Sequence, residues 1–131
     1  MAYEISNGTL KVTLIAGADL SSSQYKFVKM SADNTCVICA AATDVPIGVL
    51  QNDPASGEEA SVTVIGGTKL TASAAIAAGI KIGTNNAGKA DAKIAGTDTT
   101  EYTVGQVLSA SGADGDLLTA VINCASPNRA A

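Results

Sequence analysis

The stretch Val45–Gly67, VPIGVLQNDPASGEEASVTVIGG, constrains the fold more than any other part of the chain. Ile47 and Val49 fall on one face of a first arm. Val62 and Val64 fall on one face of a second arm, with Ser61 and Thr63 opposite. Between the arms lies a polar segment, Gln51–Glu59, built on Asn-Asp-Pro and Ser-Gly. Period-two alternation on both sides of a Pro- and Gly-bearing loop predicts a β-hairpin. The loop exceeds a tight two-residue turn, so its tip is expected to project. On this reading the apolar face is scaffold and Asn52–Glu59 is surface.

The same grammar recurs along the chain. Thr9–Ile15 alternates cleanly, Leu10, Val12 and Leu14 against Lys11 and Thr13. Further short strands are expected over Gln24–Met30, Cys36–Ala41, Thr68–Ala72, Ile80–Ile82, Ala90–Ile94, Val104–Ala110 and Leu117–Asn123. Turn residues separate them at Gly17–Ser23, Asp33-Asn34, Gly83–Gly88 and Ser111–Asp116. Ser73–Ala78 is the one helix candidate: alanine favours helix, Thr71 or Ser73 suits a cap and Gly79 a close. It spans only one or two turns, too few to stand without packing. The fold class expected is all-β, a small β-barrel or sandwich of short antiparallel strands with at most one short helix near residues 73–78. The expected layout is an N-terminal arm over residues 1–8, a single β domain over 9–125 and a flexible tail over 126–131.

Composition decides what such a chain can do. Hydrophobic residues make up 47% of the 131 positions but aromatics only 3%, so the core must be aliphatic. A lean core of this kind gains from burial against a partner. The net charge is −4 and no run of Lys or Arg occurs, which argues against nucleic acid as a partner. No apolar run approaches the roughly 20 residues of a membrane span, so no membrane partner is expected. Val12–Ala18 faintly imitates a signal-peptide core, but Glu4 stands where a basic leader belongs. A strand and a cytosolic site of synthesis are the expectation. The three cysteines, Cys36, Cys39 and Cys124, do not make a disulfide framework in an intracellular chain.

Motifs that would carry chemistry are present only in fragments. Gly83–Lys89 fits GxxxxGK, the start of a phosphate-binding loop, but Ala90 occupies the position that needs Ser or Thr. The segment after it is too short for the required helix, so a hairpin turn is expected. Cys36-Val37-Ile38-Cys39 is a CxxC on a strand, where positions three apart point to opposite faces. Buried, inert thiols are expected there rather than a redox or zinc site. Asp114-Gly115-Asp116 lacks the acidic ladder of a calcium loop. Glu58-Glu59 are neighbours on a solvated loop, and Ser21-Ser22-Ser23 have no histidine base anywhere in the chain. No enzyme, cofactor or metal is expected.

Several segments together resemble one family. They are Gly17-Ala18-Asp19-Leu20, Gln24-Tyr25-Lys26-Phe27-Val28 and Pro46-Ile47-Gly48-Val49-Leu50-Gln51-Asn52. With them go Gly57-Glu58-Glu59-Ala60 with Val62 and Val64, Gly79 before Ile80-Lys81-Ile82, and Gly105-Gln106-Val107-Leu108-Ser109-Ala110. This glycine framework resembles the capsid decoration, or cement, proteins of tailed phages. The resemblance implies a small β-barrel subunit, commonly a homotrimer, on the outside of an expanded icosahedral shell. There it would clamp neighbouring major capsid protein subunits against internal pressure, as a virion component made in the host cytoplasm. It also implies an N-terminal arm that pairs with capsid strands, here Ala2, Tyr3, Glu4 and Ile5. The reading from a different class is a β-barrel adhesion or carbohydrate-binding module of a phage tail or fibre. Scarce aromatic residues to stack on sugar faces weigh against it.

Overall fold

The computed structural model describes residues 8–131. Among them run the strands β1 (Leu10–Ala16), β2 (Phe27–Ala32), β3 (Thr35–Ile38), β4 (Gly48–Leu50), β5 (Glu59–Thr71), β6 (Lys81–Thr84), β7 (Ala90–Ala92), β8 (Tyr102–Thr103), β9 (Gly105–Ser109), β10 (Leu117–Asn123) and β11 (Asn128–Arg129). No helix occurs among the described residues, and the fold is all-β.

Five strands close into a barrel in the order β1-β3-β2-β4-β5, with β5 returning to β1. Strands that alternate direction cannot close an odd ring, so one neighbouring pair must be parallel. That pair is β1–β3, and it is short: Ile15 faces Thr35 and Ala16 faces Cys36. The other four junctions are antiparallel. The expectation of antiparallel strands holds except at this seam.

β5 joins the barrel to the rest of the molecule. Its 13 residues serve two sheets in turn. Glu59–Ile65 pairs with β1, whereas Ile65–Thr71 pairs with β10. From β10 an outer sheet continues through β9 and β6 to β7. Thr68–Ala72, expected as a separate strand, is mostly the second half of β5, which runs on through Gly66-Gly67. The hairpin read from the sequence is real, with Val49 opposite Thr63 and Leu50 opposite Val62.

Two apolar cores result. The barrel interior holds Leu14, Ala16, Leu20, Val28, Cys36, Leu50, Ala60 and Val62. A larger core between barrel and outer sheet includes Phe27, Cys39, Val49, Val64, Leu70, Ile82, Leu118, Ile122 and Cys124. β4 and the start of β2 lie between the two cores. Phe27 and Val49 therefore face outwards into the second core, while Val28 and Leu50 face the barrel interior. This double burial explains why Phe27-Val28 and Gly48-Val49-Leu50 read as continuous apolar runs. It also alters the expected faces of the hairpin. Val62 packs inside the barrel and Val64 in the outer core, separated by a register shift opposite Leu10 and Lys11. Thr63 is buried as well, and Ile47 precedes the strand and packs against the barrel core. Gly48 allows the close approach of β4 to β5, because a Cβ there would lie 2.3 Å from the Thr63 carbonyl oxygen.

The outer sheet is tied back to the barrel at a hairpin tip. The Phe27 N–H donates to the Gly88 carbonyl at 2.7 Å. Gly88 has φ +74 and sits against Ile38, where no side chain fits. Ser73–Ala78 forms an irregular segment rather than a helix. The Ser73 N–H donates to the Ala90 carbonyl, and the Ile76 N–H to Ser111 Oγ at 3.0 Å. Partners across the fold satisfy these groups, and six residues cannot outbid them with intrahelical bonds. At the C-terminus, where fraying was expected, β11 pairs with β8 and Ala130 is buried.

Candidate attachment surface

The short seam leaves one edge of the barrel open. β1 pairs with β5 from Leu10 to Ile15 on one side, but with β3 only at Ile15 and Ala16 on the other. The Ile15 N–H donates across the seam to the Asn34 carbonyl at 2.7 Å. Backbone groups of a strand alternate in direction, so Lys11 and Thr13 present their N–H and C=O to the same side as Ile15. Beyond Ile15 that side has no strand neighbour among the described residues. An unpaired edge of this kind is a template for another strand. Leu10 and Ile15 flank it with 49% and 47% of their surface exposed. The sequence-predicted contact residues Ala2, Tyr3, Glu4 and Ile5 lie outside the described residues. The open stretch lies at the N-terminal end of β1. The edge groups of Lys11 and Thr13 were not named from the sequence, because which neighbour a strand lacks is a property of topology.

The motif fragments resolve into structure. Gly83–Lys89 forms the β6–β7 hairpin, as expected, with Thr84 opposite Ala90. Asn85 Oδ1 accepts from the N–H groups of Ala87 and Lys89, so amides that a phosphate would need are already engaged. Cys36 and Cys39 face opposite sides of their segment, one into the barrel and the other into the outer core. All three cysteines are free and buried. Burial pushes the thiols of Cys39 and Cys124 up to about 12 and raises that of Cys36. Such thiols are poor nucleophiles. Asp114 in the Ser111–Asp116 turn pairs with Lys89 at 2.9 Å. Glu58 Oε1 accepts from the Ala55 N–H at 2.7 Å, closing the exposed loop. That loop does not simply project: the Leu20 and Ala16 N–H groups donate to the carbonyls of Pro54 and Glu58. Among the described residues, no three Cys, Asp or Glu side chains gather as a metal site.

Two charged clusters brace the chain beside the sheets. Asp44 accepts from Lys29 Nζ at 2.9 Å and from the N–H groups of Ala40 and Ala41. Burial works to raise its pKa, but these bonds outweigh it and the carboxyl titrates below its ordinary value. Lys93 is buried with its ammonium between Asp91 and Glu101. In both, the carboxylates are engaged with an ammonium and fix structure.

Comparison with known proteins then supplies the family. The model of the phage cement protein family matches residues 5–123. No curated protein matches the chain. Among solved structures, the N-terminal base of head fiber gp8.5 from bacteriophage phi29 superposes with a TM-score of 0.65 at 20% identity, covering 88% of this chain and 95% of that one. At that identity the likeness speaks for the fold. The family match spans the barrel and the outer sheet through β10, so the chain belongs to the phage cement protein family.

Proposed function

We propose that this chain decorates the outer surface of an icosahedral phage capsid and stabilises the expanded shell by clamping adjacent major capsid protein subunits. The observation that carries the reading is the cement-family match across residues 5–123. In this reading one β domain bears an N-terminal arm, residues 1–8. Ala2, Tyr3, Glu4 and Ile5 supply contacts to capsid strands, and the open edge of β1 offers backbone hydrogen bonds next to them. Strand addition draws affinity from main-chain groups and needs no special side chains, which suits a subunit without a reactive site. We further propose a homotrimer, because three symmetric copies repeat each weak contact at high effective concentration. The named phi29 neighbour is part of a head fiber, which is consistent with use of this fold at a head surface.

The test mixes purified protein with undecorated expanded capsids, pellets them and heats the decorated particles. Co-sedimentation and a gain in heat resistance are expected. Deleting residues 1–8 is expected to weaken co-sedimentation while leaving the isolated subunit folded. Absence of binding by the intact chain rejects the reading. Light scattering tests the oligomer: a stable dimer contradicts the trimer.

A further inference from the structure

The far end of the outer sheet carries a second surface of defined chemistry. A cavity of about 350 Å³ opens there, lined among others by Lys81, Thr103, Gln106, Asn123, Asn128 and Arg129. No carboxylate lines it. Lys81 and Arg129 make no ion pair among the described residues, unlike Lys29, Lys89 and Lys93. The Arg129 guanidinium lies over the Tyr102 ring at 5.7 Å, a contact that orients the group without using its N–H donors. Lys93, also on the wall, pairs with both Asp91 and Glu101, which leaves that cluster one negative charge against the two positive charges of Lys81 and Arg129. In a chain of net charge −4, two unpaired cations converge on one acid-free hollow.

An aliphatic trough adjoins it. Ala75, Ala77, Ile80, Ala92 and Ile94 line that trough, and Lys81 borders both hollows. Ile94 is 60% and Ile80 40% exposed. Cations beside exposed branched aliphatics match a partner that presents a carboxylate next to an aliphatic side chain. A free phosphate would use the cations but leave the trough uncovered. A nucleic-acid backbone would require a longer basic track.

We propose that this end of the sheet docks an acidic, aliphatic segment of a protein partner, independently of the N-terminal arm. The surface belongs to this chain's own side chains and is tested without a capsid. That its occupant in a virion is a head protein rests on the function proposed above. The probes are 4-methylpentanoate, acetate and inorganic phosphate, titrated into ¹⁵N-labelled protein and followed by amide chemical shifts. We expect shifts confined to residues 79–82, 92–94, 104–106 and 128–130, with 4-methylpentanoate binding about tenfold more tightly than acetate, since added methylenes enter the trough. The double variant K81A/R129A is expected to lose about tenfold for both carboxylates. Its substituted residues are exposed, so an unchanged melting temperature is expected. The variant I94S is expected to remove the preference for the longer acid while retaining acetate. Tighter binding of phosphate than of 4-methylpentanoate overturns the proposal in favour of a simple anion site. Absent shifts, or shifts unchanged in K81A/R129A, overturn it outright, and leave capsid attachment to be decided by sedimentation.

Discussion

Cys39 and Cys124 lie in the same outer core, each with its thiol pushed up to about 12 by burial. In the unfolded chain the same groups ionise near 9.0. Folding therefore holds protons that the unfolded chain releases. The stability this contributes is complete below pH 9.0 and declines as pH rises towards about 12. The urea midpoint is expected to fall over that range, and less steeply in Cys124→Ala than in the parent. At neutral pH a thiol probe should react with Cys36, Cys39 and Cys124 only after denaturant is added; rapid labelling of the native protein would contradict burial at the labelled site. Lys93 supplies the converse case. Its ammonium is enclosed, so Lys93→Ala leaves Asp91 and Glu101 facing each other without a counter-charge. Removing one member of a buried pair costs about 3–5 kcal/mol. Both acids retain some solvent contact, which places the expected loss at the lower end of that range, about 3 kcal/mol, measured by denaturant unfolding. Lys93→Met combined with Glu101→Gln should recover part of it.

At the scale of elements the hairpin β4–β5 decides most of the architecture. Its tightest point is Gly48, where a Cβ would meet backbone rather than a movable side chain. Gly48→Ala is expected to cost about 3 kcal/mol through overpacking, read as a lower urea midpoint. Val62→Asp places a charge inside the barrel core and should unfold the subunit, as judged by circular dichroism. Period-two alternation made β1, β5 and β10 legible because each shows one face to solvent or a seam for much of its length. It could not separate the faces of β4 or of the start of β2, since both are covered there. Gly66-Gly67 read as a break, yet β10 pairs across it, with Val121 opposite Gly67 and Ile122 opposite Gly66. The backbone ladder continues where side-chain pattern stops. Strands β8 and β11 are two residues each and carry no local pattern at all. The alanines of Ser73–Ala78 favoured helix, but Ser111 and Ala90 captured their backbone groups first.

For the whole molecule, the decisive fact is that a five-membered ring of strands needs a parallel junction. A parallel neighbour cannot follow through a tight turn, so β1 and β3 meet only where the connection allows. The consequence is a sheet that is closed, yet has a free stretch of edge at the N-terminal end of β1. Candidate contacts in the arm came from family resemblance, while the edge came only from topology. Both bear on the same hydrogen-exchange measurement. Val12 and Leu14 have N–H groups directed at β5, whereas those of Lys11 and Thr13 point to the open side. In the isolated subunit, Val12 and Leu14 amides should exchange slowly and Lys11 and Thr13 quickly. On decorated shells, strand addition should protect Lys11 and Thr13 as well, by at least about tenfold. Protection of Lys11 and Thr13 already in the free subunit would mean that the edge is occupied before the capsid is met. Unchanged exchange on the shell would mean that attachment uses another surface, and the acid-free hollow at Lys81 and Arg129 is then the one to test.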